Sequence, residues 1–165
     1  MATESLKDID ISEEEEPFEL VESELDEATH AEMLMLYTES ADSIRFAKAQ
    51  QWKSVGATLL VFAGLVAVAR LTKTDVSLVK TVAFLSFLVS AAAIYTLVLY
   101  QVWQNTEREK LREIAGNLSN LFVKIRTIKS TREANVHRYT LLIFMIGSIL
   151  IGNVLLILDL QKLYQ

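Results

Sequence analysis

No cysteine occurs in the 165 residues, which excludes disulfide staples, thiolate metal sites and thiol nucleophiles. Turn formers are nearly as scarce: one proline and five glycines predict few, long helices. The two histidines, His30 and His137, have no ligand neighbour at i+3 or i+4, so no metal site is expected. The sequence holds no glycine-rich phosphate loop, no nucleophile with a base at workable spacing and no carboxylate pair inside an apolar run. The expectation is a protein that is not an enzyme and carries no cofactor. Its acidic head lacks the ligand spacing of a calcium loop.

Apolar residues make up 52% of the chain, and the charge is unevenly placed. Residues 1–50 carry fifteen Asp and Glu against three Lys and Arg, whereas residues 104–138 carry four against eight. An acidic head therefore precedes a basic arm. The opening "MATESLKDIDISEEEEPFELVESELDE" has no apolar core of the kind a secretory signal needs, so this end is expected to stay on the side of synthesis. Residues 1–22, with the run Glu13 to Glu16, have too little apolar surface to offset ordering and are expected to be a disordered acidic tail. Ser23 to Asp26 has the form of a capping box, and residues 23–53 are expected to form an amphipathic helix with Leu34, Tyr37, Ala41 and Ile44 on one face.

Three runs lack charge for long enough to cross a bilayer: 54–69, 81–103 and 139–158. About 20 apolar residues span the hydrocarbon. The first run is shorter, and it reaches across if Trp52 and Lys53 sit at one interface and the stem of Arg70 extends toward the other. Residues 54–103 are then a transmembrane hairpin whose second helix is capped by Asp75, and 139–161 are a third span entered past His137 and Arg138 at the interface. Basic residues concentrate on the side of the arm, which predicts the N-terminus in and the C-terminus out.

The arm, 104–138, repeats Leu111, Ile114, Leu118, Leu121, Ile125 and Ile128 at spacings of three and four, the seam of a helix that packs on another helix. Capping boxes at Thr106 and Ser130 predict one helix over about 107–129, ~35 Å long. The residues that follow cannot return from a straight perpendicular helix of that length. Either the arm lies tilted near the headgroups or it folds back at Gly116-Asn117, and the unbroken repeat favours the tilted arm. Its expected partner is the helix before the first span, in the same subunit or another. With a single aromatic, Phe122, the arm predicts no nucleic-acid binding; anionic headgroups are the expected target of its charge.

Inside the runs, small residues recur four apart: Ala63 and Ala67, Ser86 and Ser90, Ser148 and Gly152. Such pairs let helix backbones approach closely. Asn153 is the most informative residue there, because an amide in hydrocarbon must find a partner on a neighbouring helix or line a shared pore. No charged residue falls near a midplane, so a proton relay or coupled transport site is not expected.

Over residues 34–103, with "YTESADSIRFAKAQQWKSVGATLLVFAGLVAVARL" at the centre, the organisation resembles small multi-pass bacterial membrane proteins of the SLATT and Pycsar types. That resemblance implies effectors of anti-phage systems, in which nucleotide-signalled assembly perturbs the inner membrane. No nucleotide-sensing residue carries over. The expected architecture is an all-α membrane protein with three transmembrane helices, a cytoplasmic helical layer and the acidic tail. The expected role is a non-catalytic oligomeric or accessory subunit in the bacterial inner membrane, partnered by the bilayer and by copies of itself or other membrane proteins. The alternative is a membrane-permeabilising effector.

Overall fold

The computed structural model describes residues 19–71, 76–128 and 130–162. The described part folds into four helices: α1 (Glu27–Leu71), α2 (Val76–Gly116), α3 (Asn120–Thr127) and α4 (Thr131–Lys162), with no strand. Residues 1–18, on which most of the tail expectation falls, and Asp75, the expected cap of α2, lie outside the described residues. At 1.5 Å per residue, α1, α2 and α4 are about 68, 62 and 48 Å long. Each is long and apolar enough to cross a membrane.

The three long helices pack side by side because each carries one buried stripe. On α1 it runs through Ala47, Gln51, Val55, Thr58, Phe62 and Ala69; on α4 through Met145, Ile149, Asn153, Leu156 and Leu160. On α2 it includes Val82, Ser86, Ser90, Ala93, Leu97 and Gln101. Steps of three and four keep each stripe on one helical face. The opposite faces are apolar but open: Leu60, Phe84, Ile143 and Phe144 are each about 70% exposed, as helices surrounded by lipid require. This makes the chain a three-helix bundle with the composition of an integral membrane protein.

α1 starts one turn later than the capping box suggests. Asp26 is the cap: its carboxylate accepts from the Thr29 N–H at 3.0 Å and from the Thr29 hydroxyl at 2.7 Å. Ser23 is occupied elsewhere, donating to the Asn117 carbonyl at 3.1 Å. Residues 19–22, expected within the disordered tail, are held by Asn120, which accepts from the Val21 N–H at 3.0 Å and donates to the Glu19 carbonyl at 2.7 Å.

The arm is not one tilted helix. α2 continues thirteen residues past Trp103, through Thr106, whose hydroxyl donates to the Val102 carbonyl as it would in any helix interior. It ends at Gly116 in a tight turn, with the Asn117 and Leu118 N–H groups donating to the Ile114 and Ala115 carbonyls at 3.1 and 3.3 Å. Ser119 then caps α3 by accepting from the Phe122 N–H, and Ser130 caps α4 by accepting from the Glu133 N–H at 3.2 Å. The chain folds back at Gly116-Asn117, and α3 returns it to the start of α4. Gly116 is not left-handed and a Cβ there would meet nothing, so the turn does not depend on glycine. Beyond the turn, Asn120 latches onto residues 19–21.

Candidate functional site

Two polar clusters interrupt the apolar interior. In the first, Asn153 on α4 donates to the Ser86 and Ser90 hydroxyls of α2 at 3.1 and 2.9 Å, and all three side chains are buried. Each serine in turn donates to a carbonyl of its own helix, Ala83 and Ser86 respectively. The amide thus finds its partners within the subunit. Ser148 takes no part: it is exposed and donates to the Phe144 carbonyl. Gly152 marks the close approach of α4 to α1, where a Cβ would come within 2.8 Å of Leu59 and 3.1 Å of Phe62.

The second cluster joins α1 to α2 at the arm end of the bundle. Gln51 donates to the Leu97 carbonyl at 3.0 Å and accepts from Gln104 at 2.9 Å, both amides being buried. One turn beyond, Glu107 is buried and pairs with Lys110 at 2.8 Å. The Lys110 hydrogen bond, helped by donors on Ser40 and Trp103, holds the Glu107 carboxyl below its ordinary pKa. A lowered carboxylate contributes stability that is complete above its unfolded pKa and lost as pH falls through the folded value. Melting in acid should therefore drop more steeply for wild type than for Glu107→Gln, checked by thermal scans at descending pH.

Beside the second cluster, α1, α2 and α4 line a cavity of about 400 Å³ that Gln51 and Gln104 border. Its polar wall holds Lys48, Gln101, Arg108, His137 and Arg138, and its floor is Leu141, Leu142 and Met145. Burial, followed by the charges of Arg138 and Arg112, pushes the Arg108 guanidinium below its ordinary pKa. Arg138 donates to Asn135 at 2.8 Å and stacks over Tyr139 at 4.9 Å, while its Nε is shielded from solvent without a hydrogen-bond partner. His137 stands 3.7 Å from Glu133.

The arm seam divides in two. Leu111, Ile114 and Leu118 are buried, whereas Leu121, Ile125 and Ile128 are 42, 60 and 82% exposed. The turn at Gly116-Asn117 rotates the second half away from the first. What α3 does pack on α1 is Phe122, edge-on to Tyr37 at 5.3 Å, and Arg126, which donates to the Tyr37 hydroxyl at 2.8 Å. At the outer ends of the runs Trp52 and Lys53 are exposed, and Arg70 makes a two-pronged ion pair with Asp159 at 3.0 and 2.5 Å. Sequence reasoning passed over Asp159, Gln51, Gln104 and Arg108. The glutamines could have been found, since both continue the three-four stripe of their helices toward the arm.

Among the described residues no three His, Asp or Glu side chains gather in a way that could hold a metal ion. Comparison with protein-family models, with curated proteins and with solved structures finds no match, so function must be argued from the chain's own geometry.

Proposed function

We propose that this is a non-catalytic membrane protein that acts as an oligomeric or accessory subunit of a membrane assembly. The observation that carries the reading is the uncovered half of the arm. Leu121, Ile125 and Ile128 lie beyond the apolar runs, and among the described residues they are left exposed. An apolar stripe in that position suits a protein surface, another copy or a larger complex. The hydrogen bonds of Asn153 inside the subunit support a scaffold over a pore, because the amide is spent on Ser86 and Ser90.

Purification in mild detergent tests this directly: the mass should exceed that of one chain, and overproduction should leave the membrane potential intact. A loss of potential abolished by Asn153→Leu, with insertion unchanged, would instead favour the permeabilising effector that the SLATT-type and Pycsar-type resemblance implies.

The proposed orientation in a bacterial inner membrane, arm and N-terminus cytoplasmic and C-terminus outside, is supported by the basic residues gathered at the arm end. A cysteine introduced at Thr74 should react with an impermeant thiol reagent in intact cells, and one at Ser119 should not. The reverse pattern would invert the topology.

A further inference from the structure

We propose that the cavity between α1, α2 and α4 at the arm end is a binding site for a phosphate group, and that its occupant is the headgroup of an anionic phospholipid. Arg108 and Arg138 both line this cavity and also line the two recesses that adjoin it, one of them with Arg112 and the other with Arg112 and Arg126. Like charges so placed repel, and guanidinium groups do not escape by deprotonating. Among the described residues neither Arg108, Arg112, Arg138 nor Lys48 has a carboxylate within ion-pair distance. Glu109 borders one of the recesses but pairs with none of them.

A phosphate oxygen is the acceptor that a guanidinium fork matches best. Asn135 and Tyr139 in the adjoining recess, and Gln101 in the cavity wall, add neutral groups that can reach ester or glycerol oxygens.

Depth selects the source of the phosphate. Arg138 immediately precedes the apolar run of α4, Arg108 lies five residues past Trp103 and Lys48 four before Trp52. At 1.5 Å per residue Arg138 lies about 1.5 Å outside its apolar run, and Lys48 and Arg108 about 6 and 8 Å outside Trp52 and Trp103, the level of a headgroup layer about 5–7 Å deep on each side. Below the charges the cavity floor turns apolar at Leu141, Leu142 and Met145, as a headgroup with attached acyl chains requires and a free anion does not. The lipid assignment rests on the chain lying in a bilayer; the phosphate assignment does not.

The test is a titration of the purified protein in a neutral detergent, read by melting temperature, with short-chain phosphatidylglycerol, short-chain phosphatidylcholine and inorganic phosphate. Phosphatidylglycerol should raise the melting temperature saturably. Arg108→Gln and Arg138→Gln should each weaken the apparent affinity about tenfold, the loss expected of one charge-assisted pair. Arg45→Gln, which removes an exposed guanidinium paired with Asp42, should leave it unchanged. If the glutamine variants do not fold, Arg108→Lys and Arg138→Lys keep the charge, lose the paired donors and should still weaken binding. An equal response to inorganic phosphate would uphold phosphate recognition and assign the site to a soluble phosphate compound. No response to any phosphate, an equal response to phosphatidylcholine, or full affinity in the arginine variants would overturn the proposal. Thiol labelling at Thr74 and Ser119 reads orientation independently, so failure of that reading leaves the titration in detergent interpretable.

Discussion

Gly152→Ile should be the most damaging single substitution within the bundle, lowering stability by about 3 kcal/mol in a detergent melt, the upper end of what overpacking costs. The first atom of any side chain there already comes within 2.8 Å of Leu59 and 3.1 Å of Phe62. Leu59 can swing its terminal methyl aside, so Gly152→Ala should be mild. A branched chain would also press on the Phe62 ring, which is buried in the core and has no space to move into. Helices within a bilayer gain no hydrophobic driving force against one another and depend on close packing, so separating α1 from α4 here removes contacts that nothing replaces. Gly147 supplies the internal control. It lies on the same helix, a Cβ there meets nothing within 4 Å, and Gly147→Ile should melt near wild type.

Leu118→Asp should cost a similar amount, about 3 kcal/mol, by placing a carboxylate without a partner at a buried position. Ile125→Asp, seven residues further along the same seam, should change the melting of the single subunit by no more than about 0.5 kcal/mol, because its side chain is already 60% exposed. Its effect should appear in the mass of the assembly instead. Equal melting of the two variants would mean that the turn at Gly116-Asn117 does not separate them.

The divergence between these two residues shows where sequence reasoning reaches its limit. Periodicity reports which face of a helix is apolar, and the repeat from Leu111 to Ile128 passes through Gly116 without a skipped beat. It carries no information on whether the axis continues. The axis breaks at Gly116-Asn117, the dipeptide that offered the fold-back alternative, and beyond it Asn120 bonds the backbone of Glu19 and Val21, about a hundred positions away, a pairing that leaves no local trace. The same holds for Arg70: a long cation at the end of a run was legible, its partner Asp159 was not. Asn153 was legible as an amide that must be satisfied, and the four-residue step from Ser86 to Ser90 marked a close approach. That these were each other's answer emerged only from the packing of α2 on α4. The three apolar helices themselves were the most legible part, since length and absence of charge are properties of the chain alone.

α1 passes from the apolar run to its cap at Asp26 without a joint, which makes it a lever as well as a wall. Its portion from Glu27 to Lys53 extends about 40 Å beyond the apolar run at helical rise. A tilt of about 10° in the bilayer, of the kind a change in membrane thickness produces, would carry the tip about 7 Å sideways. Tyr37, Phe122 and the latch at Asn120 couple that tip to α3, so a change in lipid order would reach the uncovered stripe of Ile125 as displacement.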